Sequence, residues 1–130
     1  MRNLIRLGLV AVTLAAAPAL AQSPPPGIKR TPLQTFDVPG TAYQTVIGIA
    51  EVAPNTNIGK HTHFGLEAGY VMEGDFVMLV EGQPPKPYKV GDSYVIPAGA
   101  PHDAKSGEKG AKLIATYVVE KGKPLATPAP

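Results

Sequence analysis

Short apolar segments, each bounded by glycine, proline or other turn residues, follow one another along most of this chain. Residues 45–52 and 112–120 are rich in β-branched and aromatic side chains, and this composition predicts two strands. Between them, residues 70–72 and 76–80 predict the two arms of a hairpin that turns at residues 73–75.

A second turn is predicted at residues 81–85, and two further strands at 88–90 and 92–96 flank Gly91. In no stretch do apolar residues recur with the 3.6-residue period of a helix, so we expect little or no helix. Many short strands separated by glycine and proline turns favour an all-β fold, either a sandwich or a barrel.

The first 21 residues have the pattern of a secretory signal peptide. Arg2 and Arg6 flank the start of an apolar run at 7–17, and alanines precede a cleavage site after Ala21. The alternative is a membrane anchor, but this run is shorter than the roughly 20 apolar residues that a spanning helix needs. We therefore predict cleavage after Ala21, a periplasmic or secreted location, and no membrane association after cleavage.

Beyond residues 1–21 the sequence divides into three parts. Residues 22–30 include three consecutive prolines and predict an extended, Pro-rich tether. The 109 residues that remain after cleavage have the size of one ordinary domain, and its predicted strands lie within residues 31–120. Residues 121–130 are rich in lysine, proline and alanine and predict a flexible tail.

Charge and cysteine content narrow the classes of partner. The chain has 12 basic and 10 acidic residues, and without Arg2 and Arg6 the count becomes 10 against 10. This neutrality gives no indication of nucleic acid or an anionic membrane, which leaves a small molecule or another protein as the partner. Cysteine is absent, so an exported domain with this sequence is stabilised by packing and not by disulfides.

The three histidines of the chain, together with one glutamate, indicate a metal site. His61, His63 and Glu67 are close in sequence, and His102 follows a turn at 97–101. Imidazole nitrogens and a carboxylate form the mixed ligand set that divalent transition metals favour. On a strand, His61 and His63 would project from the same face, roughly 7 Å apart at the backbone.

Glu67 can join the histidines only if the chain changes direction. On a straight strand it would lie roughly 13 Å beyond His63, too far to share an ion. We therefore expect a turn between them, with Gly65 as the residue able to absorb it. The alternative for each residue taken singly is structural: a histidine satisfied within a strand, or a solvated glutamate.

The spacing of these residues resembles the paired motifs of the cupins over about residues 45–120. His61-Thr62-His63, three residues, Glu67, six residues and Gly74 resemble the first motif. Gly91, five residues, Pro97, one residue, Gly99, two residues and His102 resemble the second. The 16 residues between Gly74 and Gly91 are similar to the spacer of small single-domain bacterial cupins.

The resemblance implies a jelly-roll β-barrel of antiparallel strands. It also implies that one divalent transition metal ion per chain is bound by four residues, namely His61, His63, Glu67 and His102. Mn or Fe is favoured, and Zn, Cu, Ni or Co also suits these ligands. Three imidazoles and one carboxylate leave one or two coordination positions open, as in reactive metal sites.

Three positions depart from the family pattern without removing a ligand. Asn55, Phe64 and Ser106 stand where cupins usually have Gly, Pro and Asn, and Asn55 still tolerates a positive φ. Asp103, next to His102, is either a supporting partner of the metal site or a surface residue.

The resemblance also leads to hypotheses about function. The leading one is a metal-dependent, quercetinase-like dioxygenase that acts on a small organic substrate, with Glu67 as both metal ligand and proton acceptor. The alternatives are a cupin isomerase or decarboxylase and a non-catalytic periplasmic module that binds a metal or a small molecule. Cupins commonly pair through exposed β edges, so we expect a homodimer. Six side chains either line a pocket beside the metal or pack in the core: Phe64, Tyr70, Phe76, Met78, Tyr94 and Tyr117.

Overall fold

A computed structural model describes residues 26–130, so the predicted signal peptide and residues 22–25 of the predicted tether lie outside the described residues. Residues 26–130 form eight β-strands and no helix, and hence no helix that could cross a membrane. The strands are β1 (Ile28–Asp37), β2 (Tyr43–Val52), β3 (His61–Thr62), β4 (Gly65–Val80), β5 (Lys86–Lys89), β6 (Ser93–Ile96), β7 (His102–Glu120) and β8 (Thr127–Pro128).

All strands pair antiparallel in one curled sheet, in which β4 and β7 are the long central elements. The order along one path is β1-β2-β7-β3-β8, and β4 pairs with β5, β6 and β7. Residues 111–119 of β7 lie between β2 and the first half of β4, whereas residues 102–106 pair with the second half of β4. The prediction of an all-β jelly-roll barrel with little or no helix is confirmed.

The predicted hairpin at 70–80 is wrong, because β4 runs through this region without reversing. Two register shifts against β7 bend the strand, and Gly74 between them has a φ of 69°. A Cβ at Gly74 would collide with the carbonyl of Gly110 on β7, so only glycine allows the two backbones to approach. The Glu-Gly-Asp sequence therefore marks irregularities within a strand and not a chain reversal.

The other strand predictions agree with the structure to within a few residues. The β-branched segments at 45–52 and 112–120 lie within β2 and β7, and the segments flanking Gly91 correspond to β5 and β6. Gly91 itself has a φ of 94°, which is typical of a glycine in a turn.

Both ends of the described chain extend the fold beyond residues 31–120. Strand β1 begins at Ile28, inside the predicted tether, and this buried side chain belongs to the core. At the other end, Thr127 pairs with Thr62 in β3, and the amide of Ala129 donates to the carbonyl of Lys60. Within the predicted flexible tail at 121–130, residues 127–128 therefore pair with the sheet.

The core lies inside the curl of the sheet, where alternate side chains of β2, β4 and β7 point inward. Val71 and Val119 are fully buried. The inward-facing residues of β4 and β7 include polar as well as apolar side chains, among them Glu67 and His102. Polar groups buried among apolar ones need hydrogen-bond or ionic partners inside the barrel.

Candidate metal centre

Two strands and the end of a third bring the four predicted ligand residues together. His61 lies in β3 directly opposite His102, the first residue of β7. His63 follows β3, and Glu67 is the third residue of β4. One ligand atom from each residue lies within 4.8 Å of those from the other three, so the cluster could hold a single metal ion.

The chain turns between His63 and Glu67 as expected, but the reason for glycine at position 65 is close packing and not an unusual backbone conformation. Gly65 does not adopt a positive φ. A Cβ at this position would collide with the carbonyl oxygen of Val118 on β7. Glycine is therefore required for close packing of β4 on β7, and this packing sets the position at which Glu67 enters the barrel.

The loop before β3 is fastened to β7 by two side chains, Asp103 and Ser106. Asp103 accepts hydrogen bonds from the backbone of Gly59 at 2.9 Å and from the amide of Asn57 at 3.3 Å. Ser106 accepts from the backbone of Thr56 at 2.9 Å and donates to the carbonyl of Ala53 at 2.6 Å. These bonds fix the loop that leads into His61, so Asp103 supports the site indirectly.

Backbone carbonyls set the tautomer of all three histidines. Each Nδ1 contacts a carbonyl oxygen: His61 that of Gly59 at 2.7 Å, His63 that of Leu125 at 2.5 Å, and His102 that of Ala100 at 2.9 Å. A carbonyl only accepts, so each Nδ1 must carry the hydrogen. In the neutral rings every Nε2 then presents a lone pair, which is the form that binds metals.

The Nε2 atoms of His63 and His102 are buried and make no hydrogen bond. Glu67 Oε2 lies 2.8 Å from the first and 3.4 Å from the second, without the direction of a hydrogen bond. Buried polar atoms without partners are rare in folded proteins. Unpartnered imidazole nitrogens facing a carboxylate oxygen fit a divalent transition metal, so the residues present suit the ion that the cupin resemblance implies.

Tyr94 on β6 holds the carboxylate of Glu67 in place. Its hydroxyl donates a 2.7 Å hydrogen bond to Glu67 Oε1, which leaves Oε2 facing the histidines. Tyr94 pairs with Gly69 on β4, and a Cβ at Gly69 would overlap the tyrosine ring. Because Gly69 has no side chain, the ring of Tyr94 can lie over it and reach Glu67.

The charges of the cluster follow from burial and from these contacts. Burial alone would raise the pKa of Glu67, but its contacts with His102, His63 and Tyr94 outweigh burial and hold that pKa far below its ordinary value. Burial, reinforced by His102 and His63, lowers the pKa of His61 to about 4. For His102, burial is outweighed by Glu67 and by the carbonyl of Ala100, and the pKa is raised. At neutral pH the centre thus combines an ionised carboxylate with a neutral His61.

A narrow cavity extends from the cluster into the barrel. His61, Glu67 and His102 line one part of it. Most of the remaining wall is apolar, and Tyr94, Tyr117, Ser106 and Arg30 add polar groups. The volume of this cavity is about 30 Å³, whereas one water needs roughly 10–15 Å³. Only a molecule with few non-hydrogen atoms fits without displacement of the walls.

The six aromatic and methionine residues with open roles divide between the two faces of the sheet. Four of them, Phe76, Met78, Tyr94 and Tyr117, belong to the buried core and also line the cavity. Phe64 and Tyr70 point outward and are 39% and 48% exposed.

Three contributors to the site were missed by sequence reasoning. These are the hydrogen bond from Tyr94, the carbonyl of Leu125 and the presence of Arg30 in the cavity wall. Leu125 and Arg30 lie in segments interpreted as tail and tether, and a backbone carbonyl leaves no trace in a sequence. For Arg30, the β-branched and charged run after Gly27 was the available indication of a strand.

Comparison with known proteins agrees with this architecture. The family model of the cupin domain matches residues 48–122, more than half of the chain. No curated protein matches the sequence significantly.

Several solved structures share the fold at low sequence identity. KdgF from Halomonas sp. is 22% identical with a TM-score of 0.62, over 78% of this chain and 86% of its own. The DMSP lyase DddQ from Ruegeria pomeroyi DSS-3 is 18% identical with a TM-score of 0.60, over 65% of this chain and 43% of its own. A single-substitution variant of oxalate decarboxylase from B. subtilis is 17% identical with a TM-score of 0.60, over 65% of this chain and 24% of its own. The match thus spans less than half of the lyase and of the decarboxylase, and these likenesses bear on the fold.

Proposed function

Since this chain belongs to the cupin domain family, we propose that it binds one divalent transition metal ion and is a metal-dependent enzyme for a small organic substrate. The proposed ligands are His61, His63, Glu67 and His102. Mn or Fe is the favoured ion, and Zn, Cu, Ni or Co suits the same ligands.

One observation carries the proposal: the buried Nε2 atoms of His63 and His102 have no hydrogen-bond partner, and they face the ionised carboxylate of Glu67. With neutral rings and no ion, the two buried nitrogens would each lack a partner, at a cost of about 1–3 kcal/mol each. A metal ion removes that deficit, because it accepts the lone pairs of both rings and the charge of Glu67 together.

The residues around the site prepare it for chemistry at an ion. A bound divalent ion supplies Lewis acidity toward a substrate oxygen or O2 at its open coordination positions. The low pKa of Glu67 makes it a ligand and a fixed negative charge, and only a weak proton acceptor. Apolar walls such as those of Phe76 and Leu113 keep bulk water away and hold the body of the substrate.

We further propose dioxygenase-like chemistry, and we expect the size of the cavity to determine which substrates are accepted. The narrow interior favours small diketones over catechols, and catechols over flavonols. Oxygen consumption by the metal-loaded protein with a panel of these three classes tests the proposal. We expect uptake with the smallest members and none after His61→Ala or His102→Ala. No uptake with any member, in a protein that retains a full complement of metal, would exclude the dioxygenase.

A non-catalytic binding module is the second candidate, and one observation favours it. Burial and the nearby Glu67 raise the pKa values of Tyr94 and Tyr117, while Glu67 itself stays ionised. None of these three groups exchanges protons readily near pH 7, which also counts against an isomerase or decarboxylase that relies on them. Saturable binding of a small molecule without product would support the module.

We also propose that the protein acts in the periplasm or outside the cell, as a homodimer. The leader-like sequence at 1–21 supports export. Leu66, Tyr70 and Val95 project from the outer face of neighbouring strands and are 40%, 48% and 66% exposed, which supports self-association. Light scattering tests the dimer, and fractionation of cells tests the location.

A further inference from the structure

Arg30 points into the barrel, although it lies near the start of β1. It pairs with the buried Ala50 of β2, and the buried core residue Ile28 lies two positions before it on the same face. The adjacent Lys29 faces outward, is 75% exposed along its side chain and forms a 3.2 Å ion pair with Glu51. The two neighbouring cations therefore have opposite orientations and different surroundings.

The guanidinium of Arg30 has no carboxylate partner among residues 26–130. It is the one lysine or arginine that the described cavity wall contains. Burial and Glu67 raise the pKa of the Tyr117 hydroxyl, and the neighbouring positive charge of Arg30 opposes this rise. The carboxylate of Glu67 is occupied on one oxygen by Tyr94 and faces the histidines with the other.

A partly buried guanidinium in a largely apolar wall, with no carboxylate beside it, is stabilised when an anionic ligand pairs with it. Its planar fork matches a carboxylate, to which it donates two parallel hydrogen bonds. If the proposed divalent ion is bound, the ion, Glu67 and Arg30 together carry an excess of two positive charges inside the barrel. An anionic ligand would offset part of this excess.

We propose that Arg30 binds the carboxylate of a small organic acid inside the barrel cavity, with the body of the acid against the apolar wall and its far end toward the histidine cluster. The narrow cavity restricts this acid to a few carbon atoms. The placement of its far end rests on the proposed function, whereas the pairing of its carboxylate with Arg30 does not require a metal.

The test is calorimetric titration with acetate, propanoate, oxalate and malonate, each beside its neutral amide, and with inorganic phosphate. It is carried out on the metal-free and the Mn-loaded full chain. The variants are Arg30→Gln, Arg30→Lys and the matched control Lys29→Gln. We expect at least one acid to bind the metal-free protein, and its amide about 10- to 100-fold more weakly. Arg30→Gln should lower the affinity for the acid by a similar factor, and Arg30→Lys should lower it by less. Lys29→Gln should leave this affinity unchanged.

Several results would overturn the proposal, and they differ from a failure of the metal hypothesis. The proposal fails if the acid and its amide bind equally well, if Arg30→Gln binds the acid as tightly as the wild type, or if no acid binds. Phosphate binding as tightly as every carboxylate would refute the assignment of the ligand class. A loss of Mn binding in both Arg30→Gln and Arg30→Lys would show that Arg30 is a structural counter-ion of Glu67. Acid binding without Mn binding would instead leave the Arg30 site standing and refute the proposed metal enzyme.

Discussion

The hydroxyl of Tyr94 donates a 2.7 Å hydrogen bond to one oxygen of Glu67, and the other oxygen of that carboxylate faces two buried imidazole nitrogens. The two residues come from neighbouring strands, β6 and β4, and are 27 positions apart. Tyr94 therefore fixes the orientation of the one carboxylate in the proposed metal site, without being a proposed ligand itself. Such outer contacts typically change metal affinity by 10- to 100-fold.

Tyr94→Phe should weaken metal binding by about 10- to 100-fold. The variant leaves Glu67 Oε1 buried without its donor and removes one of the contacts that lower the pKa of Glu67, so proton competition for the carboxylate increases. Calorimetric titration with Zn or Mn measures the effect. Tyr88→Phe is the matched control, since its ring packs 5.7 Å from that of Tyr94 without a bond to Glu67. Equal affinity in Tyr94→Phe and wild type would refute the positioning role.

Gly69→Ala should weaken metal binding through Tyr94, because the added methyl group occupies the space of the tyrosine ring. We expect a loss of stability of about 1–3 kcal/mol from this overpacking. The decisive measurement is the metal affinity of Gly69→Ala, of Tyr94→Phe and of the double variant. If both act on one hydrogen bond, their effects are non-additive. Full additivity would show that Gly69 acts by another route.

Deletion of residues 124–130 should lower metal affinity by about 10- to 100-fold, because the carbonyl of Leu125 is the acceptor for Nδ1 of His63. The control deletion removes 129–130 only and keeps both Leu125 and the pairing of β8 with β3. Circular dichroism checks that both shortened chains fold. If the longer deletion folds and binds metal as tightly as the full chain, Leu125 has no part in the site.

In the metal-free protein, stability should fall as the pH decreases from about 6.5 toward 4. The pKa of His61 is lowered from 6.5 to about 4 in the folded protein. Between these two pH values the unfolded chain binds the proton and the folded chain does not, so the free energy of unfolding decreases as the pH falls. Glu67, with its depressed pKa, adds a loss of stability that begins near the ordinary pKa of a glutamate and continues as the pH falls further. His102 acts in the opposite sense, since its pKa is raised and its contribution is lost only as the pH increases through that value.

Urea unfolding at pH 4, 5, 6 and 7 in the presence of a chelator measures this dependence. We expect the wild type to lose more stability between pH 6.5 and 4 than the His61→Gln variant, which lacks the titrating ring. Identical slopes for the two proteins would contradict the burial of a neutral His61.

The cluster of proposed ligands was predictable because metal sites demand particular residue types at short spacings. His61, His63 and Glu67 lie within seven positions, and the chain has only one further histidine to join them. The strands at 45–52 and 112–120 were equally predictable, since long segments rich in β-branched residues usually form strands.

The remaining features depend on contacts between distant segments, which local patterns do not encode. Glu73-Gly74-Asp75 has the composition of a turn, but pairing with β7 on both sides of these residues keeps β4 extended. Residues 28–30 and 121–130 look like loose ends, yet strands β2 and β3 offer open edges that they complete. Local composition does not reveal that a segment is ordered when its hydrogen-bond partners lie on the open edge of a distant strand.

The central claim is that the side chains of 61, 63, 67 and 102 share one metal ion. Anomalous diffraction at the metal edge, from crystals of protein loaded with Mn or Zn and then dialysed, tests it most directly. We predict one peak per chain at full occupancy, roughly 2.0–2.3 Å from the three Nε2 atoms and from a Glu67 oxygen. A fully ordered site without a peak, or a peak coordinated by other residues, would contradict it.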